Sequence, residues 1–333
     1  MIHRALLAAT VVFLVAGCGG DDGPAGGTQP LGAGEAELEL TTVAEGLDTP
    51  WALAWDPEGR LWVTERPGRL RRVGAEPQSI EGVFADGEGG LMGLEIDDEG
   101  RFYLMYTTST DNRIVRLEPD GSQAVLVDGI PAASIHNGGR LRLTEDGTLY
   151  ATTGDAGDGA LAQDLTSLAG KILRLEPGAE PQIHSSGHRN PQGLCPAPDG
   201  RLFSTEHGPN VGDEINVIER GDDGGWPETS GNGIHNYTPT IAPAGCAFYD
   251  ADLIPQWRGS LLFVTLKDQS LRRLEVDGDE VVDEEVLLEG ELGRLRDVRV
   301  GPDGAVYVTT SNRDGRGDPS EADDRIIRIA PGG

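Results

Sequence analysis

From residue 38 onward the apolar positions come in short runs rich in leucine, valine and aromatic side chains, alternating with polar residues. Almost nowhere do they recur at the spacing of an amphipathic helix, and 49 glycines and 21 prolines punctuate them. Such a chain is all-β. One unit recurs six times: WALAWDPEGRLWVTE from 51, LMGLEIDDEGRFYLMYT from 91, LRLTEDGTLYATTGD from 141, GLCPAPDGRLFSTEHG from 193, WRGSLLFVTL from 257 and VRVGPDGAVYVTTSN from 298. In each copy but the fifth, a strand runs into an acid-rich turn ending in glycine, which adopts positive φ easily, and then into a second strand. Further strands follow as GRLRRV from 68, NRIVRLEP from 112, KILRLEP from 171, DEINVIE from 213, QSLRRLEV from 269 and DRIIRIAP from 324. A period of roughly 40 to 60 residues suits four strands per unit. The pattern predicts a six-bladed β-propeller of four-stranded antiparallel blades around a central axis. Closing the ring removes sheet edges and brings loops of every blade to one axis, so residues distant in sequence can share a site.

The segment before residue 38 is different. Arg4 precedes an apolar run from Ala5 to Val15 that ends in small residues and Cys18. The run is too short to span a bilayer stably and fits a secretory signal peptide. A cysteine directly after the small residues fits a bacterial lipobox, so residues 1–17 are expected to be removed and Cys18 acylated. Residues 18–37 have almost no large apolar side chains and read as a flexible tether, leaving 38–333 as one propeller domain. The expected location is extracytoplasmic, with the membrane reached only through the lipid at Cys18. The chain carries 56 acidic against 27 basic residues, a formal net charge of −29, which suits a solvated surface and argues against nucleic acid as a partner. Beyond Cys18 only Cys195 and Cys246 remain. One bridge or two buried thiols are both open; an oxidising compartment and positions in adjacent repeat units favour the bridge.

Four segments concentrate charged and polar residues in glycine-rich loops beside the repeat strands: IHNGGRLRLTEDGTLYATTGDAGD, SGHRNPQGL, STEHGPNVGDEIN and GRLRDVRVGPDG. At these residues, and blade by blade from Thr49 to Pro331, the chain resembles the glucose/sorbosone dehydrogenase family, soluble quinoproteins that oxidise aldoses with calcium-bound pyrroloquinoline quinone (PQQ). The resemblance implies oxidation of an aldose to its lactone by hydride transfer to the quinone. It implies His136 of HNGG as the catalytic base and Asp155 of TTGD as the carboxylate that orients it. An alcohol that gives up hydride must also lose a proton, and an imidazole of ordinary pKa, about 6.5, suits that task at neutral pH. A carboxylate on the other ring nitrogen fixes the tautomer and stabilises the imidazolium as it forms.

The resemblance assigns cofactor contacts to Glu88, Arg189, Asn190, Thr240, Lys267, Arg294 and Arg296. PQQ carries three carboxylates, and fixed cations are scarce in so acidic a chain, which makes the basic members informative. Arg294 and Arg296, two apart on a strand, are expected to project to one face and grip one anion together, at the mouth of an axial pocket shared with Arg189. Calcium is implied at the carbonyls of Gly208 and Pro209, with Glu214 serving a second, structural calcium; hard oxygen ligands suit this ion, which would polarise the C5 carbonyl of the quinone. The chain departs from the family pattern at four places. Glu88 stands where members often carry glutamine, Thr238 where some carry an aromatic, Ile135 where glucose-specific enzymes carry an acid, and Gly224 where tyrosine is frequent. An added carboxylate at 88 weakens an anionic cofactor unless it is protonated or paired with an arginine. The substrate is an aldose of unassigned identity, and the electron acceptor, a quinone or a cytochrome, is not specified. Two other classes remain open: a calcium-dependent sugar lactonase, which would want side-chain carboxylates around its metal, and a non-catalytic binding propeller.

Overall fold

Each repeat unit but the fifth supplies the two innermost strands of a blade. In the first blade Pro50–Trp55 pairs antiparallel with Leu61–Glu65. The DPEG turn between them closes because Asp56 accepts from the Arg60 backbone N–H at 2.9 Å while Gly59 takes φ 75°. The same pairing joins Leu91–Ile96 to Phe102–Thr107, Leu141–Leu143 to Leu149–Thr152, Pro191–Pro196 to Leu202–Glu206, Pro243–Phe248 to Leu261–Thr265, and Leu295–Val300 to Val306–Thr310. The fifth repeat lacks the acid-glycine turn because WRGSLLFVTL holds only the second strand; its partner Pro243–Phe248 lies upstream, across a connection containing the short 3₁₀ turn Pro255–Trp257. Third and outer strands complete six antiparallel sheets, a six-bladed propeller.

This computed structural model describes residues 28–29 and 38–332, so the expected signal peptide, the acylated Cys18 and most of the expected tether lie outside the described residues. The ring closes by joining the two ends of the chain: Leu38–Ala44 pairs antiparallel with Ile326–Pro331 as the outer strand of the last blade. Thr28–Gln29, within the stretch read as tether, adds a two-residue strand against Leu38 and Glu39, making this sheet five-stranded.

Innermost strands bury both faces, as the fully buried run from Trp51 to Ala54 shows, and neighbouring blades pack through them. Each such leucine or valine contributes about 1.5–3 kcal/mol by leaving water. A disulfide links Cys195 and Cys246 on the innermost strands of adjacent blades, with Cα atoms 5.8 Å apart, so the bridge is present. Around the axis the same strands place charges instead of apolar groups. Arg140 Nη1 lies 2.9 Å from Asp297 Oδ1, Arg142 Nη1 donates to Glu95 Oε1 at 3.0 Å, and Arg299 Nη2 reaches the same Glu95 oxygen.

Antiparallel strands reverse at every connection, which sorts the loops by end. The acid-glycine turns fall at one end of the ring. The crossings between blades (80–90, 131–140, 186–190, 238–242 and 288–294) and the loops after second strands (66–68, 153–171, 207–212, 266–270 and 311–325) fall at the other. Every residue expected above to act on the substrate, cofactor or metal, save Glu214 and Arg296 on strands that begin there, belongs to this second set.

Candidate functional site

HNGG and TTGD interlock through their backbones, which explains their glycines. A Cβ on Gly154 would stand 2.0 Å from the His136 carbonyl oxygen, and one on Gly138 would stand 2.7 Å from that of Thr152. His136 itself is held at φ 56°, a conformation uncommon for a residue with a side chain. Its backbone N–H donates to Glu88 Oε2 at 3.0 Å, and its Nδ1 lies 2.7 Å from Asp155 Oδ1. Asp155 Oδ1 also accepts from Gly157 N at 2.8 Å, and its Oδ2 accepts from Trp226 Nε1 at 2.9 Å. Burial pushes the Asp155 carboxyl up, but the bonds from His136, Gly157 and Trp226 outweigh it and hold the group below the usual carboxylate range. The pair is therefore an oriented imidazole backed by an ionised carboxylate. Its Nε2 takes no partner among the described residues, and the ring keeps 14% exposure.

The expected cofactor residues divide into three sets. Arg296 is buried and lines an axial pocket with Trp51, Glu88, Gln192 and His207. Its Nη1 donates to Gln192 Oε1 at 2.7 Å, its guanidinium lies 5.9 Å from the Trp51 ring centre, and its Nε has no partner among the described residues. Burial, only partly offset by Asp314, pushes it down to about 9. Arg189 lines a neighbouring recess with His207 and Glu206 and rests over the Trp226 ring at 5.3 Å. Both recesses share His207, whose buried imidazole is pushed down to about 3 by desolvation and so is neutral.

Arg294 and Arg296 do approach one anion together, but it is the carboxylate of Asp314. Arg294 Nη2 lies 2.8 Å and Arg296 Nη2 3.8 Å from Asp314 Oδ2, and Arg294 also donates to the Leu266 carbonyl. Arg294 thus stands behind the pocket wall. Asn190 is buried, its Oδ1 accepting from Gly138 N at 3.1 Å, so it anchors the HNGG loop. Lys267 and Thr240 form a pair of their own at 2.7 Å, with the lysine exposed.

Glu88 is paired with an arginine: Arg316 Nη2 lies 2.7 Å from its Oε1. Despite burial, the bond from His136 and the charge of Arg316 keep its carboxyl below the ordinary range. Gly208 O accepts from Arg189 Nη1 at 2.9 Å, and Pro209 is exposed. Glu214 accepts from the Gly231 backbone and stands opposite Glu206 in strand register; burial and that neighbouring charge push it up. Arg66, Gln192, Trp226, Asp314 and Arg316 belong to this site and were missed by motif reading. Arg66 and Gln192 had a signal, as the residues directly after the first repeat and directly before the fourth; Trp226, Asp314 and Arg316 lie in connections that carry no repeat.

The family described as Glucose / Sorbosone dehydrogenase matches residues 47–327. Aldose sugar dehydrogenase YliI of Escherichia coli K12 is 32% identical over 345 residues, covering 86% of this chain and 93% of that protein. Quinoprotein glucose dehydrogenase B of Acinetobacter calcoaceticus is 31% identical over 254 residues, covering 58% of this chain and 53% of its own length. The PQQ-bound aldose sugar dehydrogenase of Streptomyces coelicolor superposes with a TM-score of 0.79 at 36% identity, covering 90% of this chain and 99% of that one. With the interlocked HNGG and TTGD loops at the heart of the matched region, the chain belongs to the glucose/sorbosone dehydrogenase family.

Proposed function

We propose that this protein oxidises aldose sugars to lactones with PQQ, outside the cytoplasm and tethered through Cys18. The observation that carries the reading is the His136–Asp155 pair beside a buried cationic floor, in a chain whose net charge is −29. The floor suits a tricarboxylate. Among the described residues the buried Arg189 Nε and Arg296 Nε lack partners, and buried donors are normally satisfied, so an acceptor-rich ligand supplies what they lack. Arg189 and Arg296 would hold carboxylates, while Arg294 acts behind them by steadying Asp314. Bound PQQ would supply the two-electron acceptor for the hydride.

The protein's own part is proton removal and placement. His136, neutral and with Nδ1–H given to Asp155, accepts the C1 hydroxyl proton at Nε2, and the ionised Asp155 stabilises the resulting imidazolium. Trp226 and Gly157 hold Asp155 so that the ring cannot turn away. Calcium would take the carbonyls of Gly208 and Pro209. One lone pair of Gly208 O is already given to Arg189, so the fit for a second cation is poorer than the fit for the quinone's carboxylates. A lactonase would need carboxylates gathered round a metal, and among the described residues no three His, Cys, Asp or Glu side chains are so gathered.

Titrating the purified protein with PQQ, with calcium or with chelator, tests the reading through quinone absorption and aldose-dependent dye reduction. Saturable binding with sugar-dependent reduction is expected. PQQ binding without reduction would leave a binding propeller, and lactone hydrolysis without reduction would leave a lactonase.

A further inference from the structure

A second cavity, of about 340 Å³, adjoins the axial pocket on the side of the first, second and last blades. Arg66, Arg296 and Arg316 line it together with Glu88, Asp314 and Ile135, and Ser134 adjoins Ile135 on the same wall. Its size suits a small-molecule site. Glu88, Arg296 and Arg316 also line the axial pocket, so the two spaces are continuous, while Arg66, Ser134 and Ile135 belong to this cavity and not to the axial pocket. The cavity lies next to His136: Ser134 and Ile135 precede the histidine, and the Glu88 carboxylate spans from the His136 N–H on Oε2 to Arg316 Nη2 on Oε1.

Its charge is unbalanced. Glu88 answers Arg316, and Asp314 answers Arg294 and Arg296. Arg66 has no carboxylate within ion-pair distance among the described residues; its side chain donates only to the Asp314 carbonyl, at 3.3 Å. The residue is nevertheless fixed. Its carbonyl accepts from Leu91 N at 2.9 Å, and Gly90 passes so close that a Cβ there would fall 2.2 Å from that oxygen. The carboxylates of Asp314, Glu88 and Asp48 act on Arg66 only through space, and a half-buried, anchored guanidinium with no ion pair of its own is a ready carboxylate partner, since its planar donors match one bidentately. Ile135 offers no hydrogen bond to a neutral sugar from the same wall.

We propose that Arg66, assisted by Arg316, forms a carboxylate subsite of the substrate cavity, and that the preferred substrates are acidic aldoses, hexuronates whose C1 hydroxyl meets His136 while the carboxylate across the ring meets Arg66. The inference rests on the dehydrogenase reading for its chemistry, but binding tests it independently. Calorimetry on the full chain should show glucuronate or galacturonate binding at least about tenfold tighter than glucose or galactose, a single charge-assisted contact of about 1.4 kcal/mol or more. With PQQ and calcium added, kcat/KM should favour the hexuronates by a similar factor. Arg66→Gln should cut the hexuronate-to-glucose ratio at least tenfold in both measurements and Arg66→Lys should restore part of it, with PQQ titrated alongside so that any change in cofactor affinity is read separately from the ratio. Equal affinity for acidic and neutral sugars, or an Arg66→Gln loss in PQQ affinity with the ratio unchanged, overturns the subsite. Selective hexuronate binding with no sugar oxidised would uphold the subsite and sink the dehydrogenase reading.

Discussion

Asp314 shows how one side chain can organise several others. Its carboxylate is almost fully buried between Arg294 and Arg296, and among the described residues neither arginine has another carboxylate partner. Removing it leaves two buried charges uncompensated, a change that costs about 3–5 kcal/mol when one member of a buried pair is lost. Asp314→Ala is therefore expected to lower the urea midpoint markedly at neutral pH. The pH dependence follows from direction. Burial pushes this carboxyl up, but Arg296 and then Arg294 pull it further down, below its ordinary value of 3.8. A carboxyl depressed on folding stabilises fully above its unfolded value and loses that contribution as pH falls through the folded one. The gap between wild type and Asp314→Ala should be constant from pH 6 to 7 and close in acid; urea unfolding across pH checks it, and a gap that widens in acid would contradict it. Nothing in the sequence around Asp314 announced this role. Arg294 and Arg296 were legible as a pair aimed at one anion, but the anion is supplied by a loop between strands, where no periodicity marks position.

At the scale of strands and loops, legibility followed repetition. The DPEG, DDEG, EDG and PDG turns marked five of the six inner hairpins because the turn chemistry is local. The fifth blade hid its first strand, PAGCAF, which lacks an acid-glycine turn and is short of alternating polar residues because both faces are buried. Cys246 lies on that strand and Cys195 on the corresponding strand of the fourth blade. Their bridge closes a loop with a separation of 51 residues, which the chain-entropy model values at up to about 4 kcal/mol. Cys246→Ser should lower the melting temperature by several degrees, and reductant should lower wild type by a like amount while leaving the variant unmoved. A variant as stable as wild type would show that the strands' own packing suffices. Functional loops were legible where glycine interlocks them, as in HNGG and TTGD. They were illegible where a lone aromatic such as Trp226 reaches in from the 219–234 connection to hold Asp155.

The whole molecule is a ring closed by its own ends. Leu38–Ala44 supplies the outer strand against Ile326–Pro331, so deleting residues 38–44 should expose a long strand edge, lower the melting temperature and promote aggregation, measurable by light scattering on heating. Sixfold repetition made this architecture readable from pattern alone, whereas the closing strand, outside every repeat, had no signal beyond its β-branched residues. What the ring does chemically depends on two parts held at one end: a cationic floor that would bind the quinone and a histidine that would take the sugar's proton. These are separable. His136→Ala should bind PQQ nearly as wild type does, yet lose about 10² to 10⁴ in the rate at which an aldose reduces the bound quinone, the range expected for a positioned base. Asp155→Asn should lose less, since an amide still contacts the ring but stabilises imidazolium poorly. Stopped-flow reduction of bound PQQ in wild type and both variants, read beside the equilibrium titration of cofactor, is the direct test. Intact cofactor affinity with collapsed reduction is the predicted result, and a His136→Ala protein that reduces its quinone at the wild-type rate would contradict the account.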